Sequence, residues 1–181
     1  YQMGLRLATF QSQFTTVGNG IRVFSSACCN SGNPIMAAQE GEQLGEILAP
    51  VVENVDSDGS IIFADLNGDG FINRDASGIY TPESDLAVVG NGLPSMELGI
   101  TQQFRYRNWE LSAFIRGAFG HSLYNANRRF YETQLWTRAP INFVNTDLRM
   151  PNLSSSLYSD IVIEEADFLK LDFLNLARTF T

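Results

Sequence analysis

Several things are scarce in this sequence. There is one histidine, His121, and there are two cysteines, Cys28 and Cys29, in 181 residues. Neighbours in a strand point to opposite faces, so a disulfide between two adjacent cysteines is geometrically poor. They read as free thiols, and their spacing supports neither a metal nor a redox role. His121 has no nucleophile arranged around it in sequence and reads as a polar rim residue. No run of eighteen apolar residues occurs, which excludes a transmembrane helix. It leaves open a β-barrel, whose lipid-facing residues alternate with polar ones. Basic residues are few, 12 against 20 acidic, for a net charge of -8. Phosphate binding needs a basic face, so no nucleic acid is expected as a partner. No hydrolase, kinase or nucleotide-binding signature is present. The "GNG" triplets at 18–20 and 90–92 lack the following helix that a phosphate loop needs. The chain reads as a non-enzyme.

What is present is β-rich. Aromatic residues reach 12% and hydrophobic residues 44%, with a mean hydropathy of -0.07, so the chain is neither disordered nor a helical membrane bundle. Its length suits one ordinary domain. Tyr1 opens the chain without an initiator Met, a basic n-region or a signal h-region. The other end, "LNLARTFT", has strand character. Both ends read as cut from a longer protein.

The clearest periodicity lies in "SMELGITQQFRYRNWELSAFIRGAFG" (95–120). Met96, Leu98, Ile100, Phe104 and Tyr106 share one face, and Glu97, Gly99, Thr101, Gln103 and Arg105 the other. After Arg107-Asn108 the alternation resumes. Trp109, Leu111, Ala113, Ile115 and Phe119 stand against Glu110, Ser112, Arg116 and Gly120. Two strands of about ten residues around a minimal turn make a hairpin. The apolar face would be the core of a soluble sandwich or the lipid face of an outer-membrane barrel. Tyr106 and Trp109 flank the turn on that side, where a membrane–water girdle would put them.

Other strands are expected in 3–14 and 21–29, paired as a hairpin across "TVGNG", and in 161–180, where a change of phase at Phe173-Leu174 suggests a bulge. The connections then alternate: short (15–20), long (30–94), short (107–108), long (121–160). That is the pattern of an up-and-down barrel with short periplasmic turns and long extracellular loops. The long segments are functional excursions with small structures of their own. The expected fold is all-β: an antiparallel transmembrane β-barrel segment of about five strands with two long extracellular loops, 30–94 and 121–160.

"DLNGDGFINRD" (65–75) carries the most specific chemistry. Calcium takes six to eight oxygens, and alternate loop positions supply them. Here those are Asp65, Asn67, Asp69 and the carbonyl of Phe71, with Gly70 allowing the sharp turn. Such a site would be structural. The competing reading is an ion-free Asx- and Gly-rich turn. In the second excursion, "NRRF" (127–130) and Arg138 read as a solvated basic stretch, with contact to anionic lipid sugars or substrate as the alternative. Glu164-Glu165 reads as a water-facing pair. Tyr124, Phe130, Tyr131 and Trp136 read as loop packing, with a stacking surface for cargo as the alternative.

Six segments in order resemble the late barrel of SusC/RagA-type TonB-dependent outer-membrane transporters: "AAQEGEQLGEIL" (37–48), "DSDG" (56–59), "DLNGDGFI" (65–72), "DLAVVGNGLPSMELGI" (85–100), "FIRGAFGHSLYNANR" (114–128) and "SDIVIEEADFLKLDFLNL" (159–176). The resemblance covers roughly 37–180. It implies a plugged barrel of about twenty-two strands, of which this chain would supply part. It implies active import of glycans or peptides, a SusD-like surface lipoprotein as lid, the TonB-ExbB-ExbD complex as drive, and outer-membrane lipid around the barrel. The family places a further Asp about four residues after the Ile of "DxNGDGxI". Here "NRDASGIYTPES" (73–84) intervenes, so either Asp75 closes the loop or Asp85 supplies the last carboxylate. A secreted or cell-surface calcium-binding β-rich binding module is the alternative function.

Overall fold

A computed structural model describes residues 1–18, 22–25, 34–74, 84–132 and 157–180. Its strands, in chain order, are β1 (Gln2–Thr9), β2 (Arg22–Ser25), β3 (Pro34–Ala38), β4 (Glu46–Ala49), β5 (Val52–Val55), β6 (Ile61–Phe63), β7 (Ala87–Asn91), β8 (Met96–Tyr106), β9 (Trp109–Phe119), β10 (Ser122–Tyr124), β11 (Ile163–Glu165) and β12 (Phe168–Arg178). One short helix, α1 (Ala126–Tyr131), and a 3₁₀ turn at Asp160–Val162 complete the described elements. The protein is all-β, with antiparallel pairing throughout the long sheet. The chain divides into two compact units.

The first unit comprises Tyr1–Gln11, Leu93–Ser122 and Glu165–Thr181. It holds one four-stranded sheet in the order β1-β8-β9-β12. The β8–β9 hairpin runs in unbroken register from Met96↔Phe119 to Tyr106↔Trp109. Period-two alternation excludes a one-residue slip, which would send one apolar set to the other face, and the two-residue turn selects among the registers that remain. Arg107 takes a φ of 52° at the turn, the left-handed conformation that tight hairpin turns require at their first central residue.

The expected hairpin between 3–14 and 21–29 does not form. β1 pairs with β8, Leu5 opposite Ile100 and Leu7 opposite Leu98, whereas β2 pairs with β3 in the other unit. The long sheet therefore has four strands rather than about five. β12 pairs with β9 through a register shift between Leu171 and Phe173, so the extra residue is Asp172, slightly earlier than the phase change suggests. Thr9, Met96 and Phe119 lie at one end of the sheet and Tyr106 and Trp109 at the other. Both long excursions consequently leave from and return to the same end.

The second unit comprises Ser12–Gly92 and Leu123–Glu164. The two excursions thus fold together. Its sheet runs β2-β3-β4-β7, with β5–β6 as a separate hairpin. The centre is Ala49, Tyr158 and Val162, flanked by Val89, Tyr124, Ile161 and Ile163. The buried Tyr158 hydroxyl donates to the Leu48 carbonyl at 2.6 Å, which satisfies a polar group that would otherwise be costly to bury. Asp160 fastens the second excursion to the first: its Oδ1 accepts from Val52 N–H at 2.9 Å, and its own N–H donates to Pro50 at 3.0 Å.

Candidate functional site

Residues 65–74 form a loop in which the acidic and amide side chains fold onto the backbone. Asp65 accepts from Gly68 N–H at 2.7 Å through Oδ1 and from Gly70 N–H at 2.8 Å through Oδ2. Asn67 Oδ1 accepts from Asp69 N–H at 2.9 Å, and Asp69 Oδ1 from Phe71 N–H at 2.8 Å. These are successive Asx turns. Gly68 and Gly70 carry φ values of 76° and 84°, which side chains rarely adopt. The hydrogen bond from Gly70, helped by that from Gly68, holds the Asp65 carboxyl below the usual carboxylate range.

Asp85 closes this loop through the backbone. It is fully buried. Its Oδ1 accepts from Leu66 N–H at 2.8 Å, its Oδ2 accepts from Asn73 N–H at 2.7 Å, and its own N–H donates to the Asn73 carbonyl at 2.7 Å. One carboxylate therefore grips both ends of the loop. Asp75 lies outside the described residues, as do Cys28, Cys29, Trp136 and Arg138. Among the described residues no three His, Cys, Asp or Glu side chains gather as a metal set. The donor chemistry of Asp65, Asn67, Asp69 and the Phe71 carbonyl still suits calcium. All are hard oxygens, and an oxygen that accepts one N–H retains a second lone pair.

The first unit presents two unlike faces. Rows across the sheet follow from the register: Leu7, Leu98 and Leu169; Leu5, Ile100, Ile115 and Leu171; Phe104, Leu111 and Leu176. This face is apolar, and nothing in its own unit covers it. Leu5, Leu7 and Leu174 are 63%, 62% and 63% exposed, with Leu169, Leu171 and Leu176 above half. Near the tight turn the Arg178 guanidinium lies 5.2 Å from the Trp109 ring and that of Arg107 lies 5.4 Å from Tyr106.

The opposite face carries Arg6, Glu97, Arg116, Lys170 and Asp172. Arg116 Nε pairs with Asp172 at 2.9 Å and Lys170 with the same carboxylate at 3.4 Å. Glu110 pairs with Arg105 at 3.1 Å and accepts from Gln103 at 2.6 Å. His121 stands at the rim, its Nδ1 3.8 Å from Asp167 and its ring edge-on to Phe168. No described nucleophile accompanies it.

Two readings of the second excursion are corrected. Arg128 and Arg129 are buried, not solvated. Arg128 pairs with Glu132 at 2.7 Å and Glu164 at 2.8 Å, and it donates to the Ile161 carbonyl at 2.7 Å. Glu164 is consequently half-buried and paired, and it also accepts from Asn125 at 3.1 Å, whereas Glu165 beside it is exposed as expected. Burial works against the charge of Arg128, but the two carboxylates outweigh it and its pKa rises. Burial likewise opposes ionisation of Glu164, and Arg128 and Asn125 overcome it, so its pKa falls below 4.5. A depressed carboxylate pKa stabilises above the unfolded value and is lost as pH falls through the folded one. Protection of the α1 amides against hydrogen exchange is therefore expected to be full at neutral pH and to decline as pH drops below about 4.5. The variant Glu164→Gln should remove that decline. Tyr124 stacks edge-on with Tyr158 at 5.5 Å, which is loop packing rather than an open stacking surface. The resemblance had marked Asp85 as a candidate closing carboxylate for this loop, but no signal in sequence marked its grip on the Leu66 and Asn73 amides, or Asp172.

No family model matches the chain, and no curated protein matches it in sequence.

Proposed function

We propose that this chain is part of the barrel wall of a SusC/RagA-type TonB-dependent outer-membrane importer of glycans or peptides. The observation that carries the reading is the four-stranded sheet with one uncovered apolar face and one charged, polar face. A soluble protein of this size seldom leaves so large an apolar surface open. Lipid would cover it, and the polar face would line a lumen. Strands of eleven residues extend about 34 Å, which at a tilt near 45° matches an apolar band of about 25 Å. Cations over Trp109 and Tyr106 suit the interfacial girdle at the tight-turn end. The end of the sheet from which the long connections leave would then be the outward one, toward a SusD-like lipoprotein lid, with TonB-ExbB-ExbD driving transport from the other side.

The intact protein, purified from outer membranes, is expected to need detergent to stay monodisperse and to co-purify with a surface lipoprotein. A detergent-free, monodisperse protein would overturn the barrel reading.

The loop 65–74 on this reading holds a structural calcium through Asp65, Asn67, Asp69 and the Phe71 carbonyl. Weak affinity suffices outside the cell, with a Kd of roughly 10⁻⁴–10⁻³ M. Millimolar calcium should protect the loop from proteolysis, and Asp65→Ala together with Asp69→Ala should abolish that protection. Equal cleavage with calcium and with chelator in the unaltered protein would show an ion-free turn.

A further inference from the structure

The polar face of the long sheet contains a recess. Its cavity volume is about 360 Å³. Ala8, Gly99 and Ala118 form its floor, Phe114 and Phe168 its walls, and Arg6, Glu97 and Arg116 its charged rim. The register explains the shape. Arg6, Gly99 and Arg116 lie in one row across three strands, and Ala8, Glu97 and Ala118 in a row two residues away. Gly99 at the centre of the first row, and Ala8 and Ala118 on either side of Glu97 in the second, leave hollows between long side chains. At Gly99 an added Cβ would meet Phe114 at 3.6 Å and Arg6 Cβ at 3.8 Å, so a small side chain fits there and a large one would fill the recess.

The charges at the rim are incompletely used. Among the described residues Arg6 and Glu97 form no ion pair, and Arg116 engages Asp172 through Nε. We propose that this recess binds the free carboxyl end of a short peptide. Arg6 and the remaining N–H groups of Arg116 take the carboxylate, in the planar arrangement that arginine offers. Glu97 takes a peptide N–H or the terminal ammonium. Phe114 and Phe168 pack against the side chain, and the low floor lets the peptide backbone approach. A neutral glycan uses neither charge. A polyanionic glycan meets repulsion from Glu97 and Asp172. A ligand carrying both signs uses both.

The proposal rests on the importer reading for its meaning, since it would make peptides the cargo, but its test stands apart. Calorimetric titration of the intact protein in detergent uses trialanine with free termini, its C-terminal amide and maltotriose. Trialanine is expected to bind. Amidation and Arg6→Gln should each weaken it by roughly tenfold or more, as expected on losing a charge-assisted hydrogen bond. Gly99→Leu should abolish binding without altering any charge. Equal affinity for the acid and the amide, no binding of trialanine, or binding of maltotriose that Gly99→Leu abolishes would overturn the proposal. If the protein proves soluble without detergent, the importer reading fails and the same titration, run in buffer, still decides the recess. Arg6 is exposed on an outer strand of this sheet, so Arg6→Gln should fold. An unchanged sheet signature in circular dichroism verifies this for every variant.

Discussion

Replacing Asp85 with alanine is expected to free the 65–74 loop and to cost about 3–6 kcal/mol locally, the sum of two charge-assisted hydrogen bonds at about 1.5–3 kcal/mol each. The carboxylate is wholly buried, so water does not readily replace it when it is removed. Its two oxygens serve Leu66 and Asn73, one at each end of the loop. A single substitution therefore unties both ends. Asp85→Asn keeps one acceptor oxygen but aims an NH₂ at the other N–H, and should recover at most half of the loss. Asp65→Ala should cost less, because that carboxylate is exposed and its two bonds stay within its own turn. Hydrogen exchange of the Gly68 and Gly70 amides measures Asp65→Ala, and that of the Leu66 and Asn73 amides measures the two Asp85 variants. If those amides stay protected in Asp85→Ala, the loop is held by something other than this carboxylate.

The contrast between Asp65 and Asp85 shows what sequence spacing conveys. Alternate acidic positions closed by glycine are a local pattern, and the loop they describe is the loop that forms. Asp85 acts from a position twelve residues beyond Asn73, and nothing local distinguishes it from a solvated aspartate. The same division runs through the long sheet. The β8–β9 hairpin was legible because a two-residue turn and two alternating strands fix the register together. β1 was legible as a strand but not in its pairing. Strands adjacent in sequence are usually neighbours, yet β1 passes over the whole first excursion to join β8. Its apolar residues complete the row that Ile100 and Ile115 begin, and that match lies across ninety-odd residues rather than across a turn. Arg128 follows the same logic. In "NANRRFY" it looks like one of two surface cations, but Glu164 lies 36 residues further on, and only the folding of the second excursion back on itself brings it within reach.

An arginine at Ile100 is expected to be the most damaging single change on the apolar face if lipid covers it. Ile100 lies near the middle of β8, in the row with Leu5, Ile115 and Leu171. A cation facing lipid at mid-depth of a barrel costs about 2–4 kcal/mol. Thr101, one residue along, points to the opposite face at nearly the same depth, and arginine there should change stability by no more than about 0.5 kcal/mol. The pair of variants thus compares the two faces with composition and depth held almost constant. Unfolding of the intact protein by denaturant in lipid vesicles, followed by Trp109 and Trp136 fluorescence, gives both costs. On a water-exposed face Ile100→Arg would be as harmless as Thr101→Arg, because the side chain would only exchange one solvated position for another. Two equal and small costs would therefore remove lipid as the cover of this face and the barrel wall with it. A large cost at Ile100 alone could still arise from a second protein layer. The effect of bilayer thickness separates the two: a lipid-facing cation becomes less costly in thinner membranes, where its head group lies closer to water, whereas a cation trapped against protein is indifferent to the lipid chain length.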